Sequence, residues 1–293
     1  SYGLCLDMNS LRYEDFKIIY SPIPPKKEMQ RIIEFLDEKT AEIDAAIAKK
    51  ERLIELLQEQ KNILINQAVT RGLNPNVPMK DSGVEWIGEI PAHWELVPMK
   101  RIVEIRDGTH DTPDYVDQSS DSRPLVTSKD FLDNRIDFCN VKYISFRDHL
   151  KILKRSGCEA GDLLMSMIGG NIGKSAIVEK DYDFSIKNVA LFKTKNRLDL
   201  AKVLKYFFMS SLLETQISLI SRGGAQAFLG LMDIRNLVFL KIPEAEVIAI
   251  ARYLEKVIVR VDRVIELERQ GEDALLLYKQ NLISSAVTGK IKV

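Results

Sequence analysis

The side chains best suited to chemistry in this 293-residue sequence gather in three short polar stretches. Asp107-Gly108-Thr109-His110-Asp111-Thr112-Pro113 sets a histidine among carboxylates and hydroxyls, as a catalytic cluster would. Yet His93, His110 and His149 share no metal-ligand spacing and no G-x-S-x-G occurs, so the stretch reads as a polar recognition loop in preference to a metal or nucleophile site. Gly169-Gly170-Asn171-Ile172-Gly173-Lys174-Ser175 approaches a phosphate loop, but G-x-x-x-x-G-K-[ST] requires glycine at 168, where the chain has Ile168. What remains is a tight polar turn between two strands. It is either a plain hairpin or a place where backbone N–H groups and the Lys174 ammonium approach a nucleic-acid phosphate. Ser221-Arg222-Gly223-Gly224-Ala225-Gln226 flanks a glycine pair with an arginine and a glutamine, side chains that read guanine and adenine edges, and it equally fits a helix C-cap. There is no dinucleotide G-x-G-x-x-G, no methyltransferase N-P-P-Y and no clear nuclease carboxylate cluster. The sequence therefore points to no enzyme, no metal and no cofactor.

The elements that must position these stretches are framed by a repeat. A shift of 218 residues lays Ile32–Gly72 on Ile250–Lys290 without a gap, matching Ile43-Asp44 to Val261-Asp262, Lys61 to Lys279 and Ala68-Val69-Thr70 to Ala286-Val287-Thr288. One element used twice, with a separate unit between, explains a spacing far too long for a solenoid. Each copy is helical by its period. Leu36, Thr40, Ile43, Ile47, Lys50, Ile54, Leu57, Lys61, Leu64 and Ala68 alternate steps of four and three, and seven of these ten positions are apolar. The second copy repeats that count, so each is a coiled-coil seam that needs a partner, and the other copy is the obvious one. Pro24-Pro25 and Pro243 mark the entrances, and Gly72 and Gly289 the exits.

Residues 73–98 hold four of the ten prolines and both tryptophans, which predicts an ordered but irregular strap. From 99 to 241 the composition shifts to short β-rich runs at Pro124–Thr127, Val141–Ile144, Asp162–Ile168 and Ala176–Val178, followed by one helix over about Leu198–Ile220. The expected fold is α+β, with one globular domain inserted between two long helices that pair as an antiparallel coiled coil.

Charge agrees with that division. The whole chain balances 42 basic against 42 acidic side chains, with a mean hydropathy of −0.11, which excludes polycations and acidic tails. Both repeat helices are neutral, whereas 99–241 carries 22 basic and 18 acidic residues, a mild bias toward polyanions. No run reaches the roughly 18 apolar residues of a membrane span and no signal peptide is evident, so a cytoplasmic place is expected. Cys5, Cys139 and Cys158 form no C-x-x-C and are expected as buried thiols.

Taken together, the strings IPPKKEMQRIIEFLDEKTAEIDAAIAKKERLIELL, VPMKDSGVEWIGEIPAHWE, DGTHDTP, GDLLMSMIGGNIGKSAIV and LISSAVTGKI resemble the specificity subunits of type I restriction-modification systems. The resemblance covers nearly all of the chain. It implies a non-catalytic DNA-recognition subunit whose target recognition domain binds one half of a bipartite sequence, while the conserved helices form a spacer and dock methyltransferase subunits. Restriction subunits would join through the latter. A full-length subunit has two recognition domains and two spacers, whereas this sequence has two spacers and one complete domain. Residues 1–22 resemble the tail of an upstream domain, residues 23–72 and 242–293 the two spacers, and the expectation is a carboxy-terminal or half-length form. Side-chain chemistry and that placement give the candidate DNA contacts Thr109, His110, Thr112, Lys129, Asn171, Lys174, Lys187, Asn188, Arg222 and Gln226. Arg222→Ala and Gln226→Ala are expected to weaken sequence-selective binding. Because identical seams can pair between copies, a homodimer through the helices is a further expectation. A coiled-coil scaffold whose inserted domain binds protein is the rival reading.

Overall fold

The structure is a computed structural model that describes residue 17 and residues 23–132, 134–179, 183–220 and 228–293. The possible upstream tail, Cys5, Arg222 and Gln226 lie outside the described residues. Helix α1 is Lys26–Arg71, 46 residues or about 69 Å of rise. It is followed by strands β1 (Met79–Asp81), β2 (Glu89–Pro91) and β3 (Glu95–Pro98). Next come β4 (Glu104–Asp107), β5 (Tyr115–Val116), β6 (Ser122–Val126), β7 (Phe131–Leu132), β8 (Arg135–Ile136) and β9 (Lys142–Ser145). Helix α2 (Phe146–Ser156) precedes β10 (Leu163–Ser166), β11 (Ser175–Ile177), β12 (Ser185–Ile186) and β13 (Val189–Lys193). Helices α3 (Leu198–Phe208), α4 (Ser211–Ile220) and α5 (Leu231–Asn236), strand β14 (Val238–Lys241) and helix α6 (Glu244–Val287) complete the order.

These elements form two compact units. One consists of the helical stretches before residue 58 and after residue 261. There Ile43, Ile47, Ile54 and Ile265 are buried, as their seam positions require. Lys50 Nζ donates to Glu268 Oε2 at 2.7 Å and Lys279 Nζ to Asp44 Oδ1 at 2.5 Å. Partners that rise along α1 from 44 to 50 fall along α6 from 279 to 268, so the pairing is antiparallel. Lys50 and Glu268 are equivalent positions in the two copies, separated by 218 residues, so the repeat meets itself about a local two-fold. The Lys279–Asp44 pair is exposed and the Lys50–Glu268 pair part-buried, and such near-surface pairs contribute about 1 kcal/mol or less, so burial of the isoleucines carries the association.

The other unit is Gln58–Val261. Its first sheet has the order β11-β10-β13-β4, antiparallel throughout. Its second has the order β12-β6-β9-β5, with β12 parallel to β6 and the other pairs antiparallel. Period-two alternation splits the first sheet between two cores. Leu163, Met165, Ala190 and Phe192 face a large core with α3, while Leu164, Val189 and Leu191 face a smaller one with Val126, Phe184 and Ile186. Strands buried on both faces have no polar register, which is why β10 and β13 read as unbroken apolar runs.

The large core also takes Ile65, Ala68 and Val69 of α1 and Val247, Ile250, Leu254 and Ile258 of α6. Gly72, at φ +72, ends α1 in the left-handed conformation, and a Cβ there would lie 3.2 Å from the ring of Trp94. Trp94 is fully buried and its Nε1 donates to Glu246 Oε2 at 3.2 Å, while His93 Nε2 lies 2.6 Å from Glu246 Oε1. His93-Trp94 thus fastens the exit of α1 to the first turn of α6. Residues 73–98 are more regular than their prolines suggest. β1 pairs with β2, and β3 pairs with β14 from the other end of the unit.

Three expectations need correction. The single helix over 198–220 is two, because Ser210 Oγ turns back to Phe207 O at 2.6 Å and Asn66 Oδ1 accepts from Ser211 N at 2.9 Å, capping a new start. Helix α2 was not anticipated, although Ser145 accepts from Asp148 N at 3.1 Å as an N-cap with an acid three residues on. Cys139 is exposed, on the short loop between β8 and β9, whereas Cys158 packs against the smaller core and burial pushes its thiol up to about 12.

Candidate nucleic-acid interface

Strand register decides where the polar stretches go. Asp107, the last residue of β4, pairs with Ala190 near the start of β13, and Val189 pairs with Ser166, the last residue of β10. The loop after Asp107, the turn before Val189 and the turn after Ser166 therefore leave the first sheet at one and the same end. Phe228 joins them through a bridge to Ile168, with Leu229 N donating to Met167 O at 2.9 Å.

Five of the ten candidate residues meet there directly. Thr109 and Lys187 form a parallel bridge, Thr109 N donates to Ile186 O at 3.0 Å and Asn188 N to Thr109 O at 3.1 Å. Lys187 Nζ donates to Thr112 Oγ1. His110 places Nδ1 3.1 Å from Asn188 Oδ1 and Nε2 3.1 Å from Asp107 Oδ2. Asn188 sits at φ 55, a left-handed conformation that asparagine tolerates better than most residues. Gly108 makes this crossing possible, since a Cβ there would lie 2.5 Å from Ile186 O. The glycine of the D-G pair is thus a steric requirement where the loop passes the end of β12.

Behind the loop stands Arg155 of α2, a residue the sequence did not single out. Its Nε and Nη2 donate to Asp107 Oδ1 at 3.0 and 2.5 Å. Asp107 is only 7% exposed. Burial works against its charge, but the hydrogen bonds from Arg155 and His110 outweigh it, and its pKa lies below the ordinary carboxylate value. Between loop and helix lies a cavity of about 350 Å³ lined by Thr109, Thr112, Pro113, Lys151, Ile152 and Arg155. Forty-eight residues separate Arg155 from Asp107, so only the start signal of α2 could have pointed to it.

Asn171 and Lys174 lie on the turn between β10 and β11, one strand over from Asn188. Ile172 N, Gly173 N and Lys174 N donate to Gly169 O, Ser166 O and Asn171 O within the turn. Those N–H groups are spent on the hairpin, so a phosphate cradle of backbone amides is not formed by them, and the exposed Lys174 side chain is what the turn offers. Lys129 is exposed in a short 3-10 turn, Ser128–Asp130, capped by Thr127 and Asp130. This turn follows β6, whose Val126 O accepts from Lys187 N at 2.9 Å.

A second constellation looks like hydrolase machinery. His149 Nδ1 lies 3.0 Å from Ser185 Oγ and its Nε2 2.7 Å from Asp183 Oδ1. Ser185 and His149 are 1% and 0% exposed, so no substrate reaches that hydroxyl. Asp183 also accepts from Arg123 Nε at 2.5 Å, and Arg123 covers the Phe146 ring at 4.8 Å, so the group ties α2 to the second sheet. Among the described residues no cluster of three or more His, Cys, Asp or Glu side chains is arranged to hold a metal ion, and no helix is long and apolar enough to cross a membrane.

No family model matches the chain. Among curated proteins it is 25% identical over 303 residues to the type I restriction enzyme MjaVIII specificity subunit of Methanocaldococcus jannaschii, covering 96% of this chain and 63% of that protein. It is 25% identical over 280 residues to the EcoBI specificity subunit of Escherichia coli, covering 92% and 58%. The chain thus spans about 60% of the length of these relatives. Its fold matches the HsdS subunit from Thermoanaerobacter tengcongensis with a TM-score of 0.55 at 14% identity, covering 98% of this chain and 65% of that one. It also matches a chain solved in work on the assembly and conformational transition of the type I R-M system, with a TM-score of 0.66 at 15% identity, covering 90% and 60%. In sequence and in fold, over nearly its whole length, this chain is similar to the specificity subunits of type I restriction-modification systems.

Proposed function

We propose that this chain supplies DNA sequence specificity in a type I restriction-modification complex. Its inserted domain, residues 99–241, reads one half of a bipartite site, and the paired helices set the separation of the half-sites and dock methyltransferase subunits. Methylation, translocation and cleavage belong to the methyltransferase and restriction partners, and this chain contributes no catalytic residue. The observation that carries the reading is the convergence of the 107–113 loop, the Lys187-Asn188 turn and the Asn171–Lys174 turn at one end of one sheet. A rigid, hydrogen-bonded group of Thr, His, Asn and Lys side chains suits base-edge contacts, and exposed lysines around it suit phosphates.

The protein-binding alternative has its own observation. Phe146, Leu150 and Leu153 form an exposed apolar stripe on α2, flanked by Arg147, Lys151 and Lys154. Selection from a randomised duplex pool separates the two readings, using the purified chain with and without its cognate methyltransferase subunit at two salt concentrations. The DNA reading expects enrichment of a short motif, in two spaced copies if the chain dimerises, and affinity that falls steeply with salt as counterions are released. Failure to enrich any motif with the partner present leaves the scaffold reading.

A further inference from the structure

The hydrogen-bond chain Arg155–Asp107–His110–Asn188 has a property that follows from donor and acceptor counting. Asp107 is held as a carboxylate by Arg155, and an ionised carboxylate only accepts, so His110 Nε2 must carry a hydrogen toward it. That leaves Nδ1, 3.1 Å from the Asn188 side-chain amide, with two possible roles. In the imidazolium, Nδ1 donates, and the amide must turn Oδ1 to the ring and its NH₂ away. In the neutral ring, Nδ1 accepts, and the amide must turn Nδ2 to the ring and its oxygen away. The Asn188 backbone is fixed in either case by its N–H bond to Thr109 O and by its left-handed φ, so only the terminal amide rotates.

We infer that the proton on His110 sets whether Asn188 presents a hydrogen-bond donor or an acceptor, and so acts as a specificity determinant of the recognition loop. The inference rests on the DNA-reading function proposed above. A donor faced outward suits guanine O6 and N7, and an acceptor suits the exocyclic amines of cytosine and adenine. The charged groups around the ring are Asp107 on β4 and Arg155 on α2, with Lys187 beside Asn188. Asp111 of the same loop and Asp148 and Lys151 of α2 line the adjoining cavity. Histidine is the residue type whose charge changes near neutral pH.

Two measurements test this separately. In the free, full chain, a pH titration followed by ¹⁵N NMR should move the Asn188 side-chain amide signals with the same midpoint as the His110 ring. That coupling should vanish in His110→Gln. Amide signals that ignore the His110 midpoint would overturn the inference whatever the chain binds. In duplex selection with the methyltransferase subunit, the preference at one base position should change about tenfold or more between pH 6 and pH 8. Asn188→Asp, which tolerates the same backbone and can only accept, should show the alkaline preference at both pH values. An identical motif at both pH values in the wild type would overturn the role in base choice. Coupling in the free chain with no motif at either pH would instead sink the DNA-reading function, and base choice with it, while the proton coupling stood.

Discussion

Gly108 and Asp107 do different work within one loop. A Cβ on Gly108 would run into the Ile186 carbonyl, and that clash is with backbone, which has no rotamer to yield. Gly108→Ala should therefore cost about 1–3 kcal/mol, as overpacking in a tight site does. The check is a lower urea midpoint at an unchanged slope. Asp107 makes the loop's stability depend on pH. Its folded-state pKa is depressed, so its contribution is complete above the ordinary carboxylate value of 3.8 and is lost as pH falls through the lower folded value. Urea unfolding at pH 5 and pH 3 should show the wild type losing more stability than Asp107→Asn over that interval. Equal losses would show that other carboxylates govern the acid limb. The D-G-T-H-D-T-P residues were legible because a short polar loop keeps its chemistry in sequence order. Arg155 was not, because nothing local says that a helix 48 residues away will back that loop.

Whole elements were legible where a period or repeat spoke for them. The 218-residue repeat predicted two paired helices, and Lys50 against Glu268 shows equivalent positions meeting. Strands β6, β9, β10 and β11 appeared as β-rich runs between turn residues. Helix α2 was less legible because its sequence, FRDHLKILKRS, holds only four apolar residues in eleven and is announced mainly by the Ser145–Asp148 cap. The strap is more regular than its composition suggests, since prolines at strand ends are tolerated where no ladder N–H is needed. Elements also depend on a few long-range ties. Lys193 of β13 is 8% exposed and its Nζ donates to Asp162, 1% exposed, at 2.7 Å, while Asp162 also accepts from Glu159 N at 2.9 Å and Thr194 N at 3.2 Å. This joins β13 to the turn that feeds β10. Lys193→Met leaves a buried carboxylate without its cation and should cost about 3–5 kcal/mol, read from the thermal or urea midpoint. Asp162→Asn removes the charge and one of the two oxygens that accept from Glu159 N and Thr194 N, so it is destabilising itself, but on that background Lys193→Met should cost clearly less than in the wild type. An equal cost in both backgrounds would mean that packing of the lysine stem, not the ion pair, holds the two strands.

At the scale of the whole molecule, a neutral chain concentrates its basic excess in the part inserted between two neutral helices. Salt separates the two kinds of contact that such a division implies. On the function proposed above, Lys174→Ala should weaken binding to every duplex about equally and reduce the slope of log affinity against log salt by about 0.9, because one phosphate contact would be lost and no base contact would be. A loss confined to one sequence would make Lys174 a base reader. On the same proposal the helices predict something different, a length. Each residue of an α-helix adds about 1.5 Å and each base pair of duplex about 3.4 Å, so a heptad inserted into both helices should widen the gap between half-sites by about three base pairs. Seven residues preserve the seam, since apolar positions recur every 3.5 residues, and insertion after Lys50 and after Glu268 treats the two copies alike. A two-residue insertion at the same places rotates the seam by about 200° at ~100° per residue and should abolish pairing. Duplex selection would then return the same two half-motifs at a wider spacing from the heptad variant. An unchanged gap would mean that something other than the paired helices measures the distance.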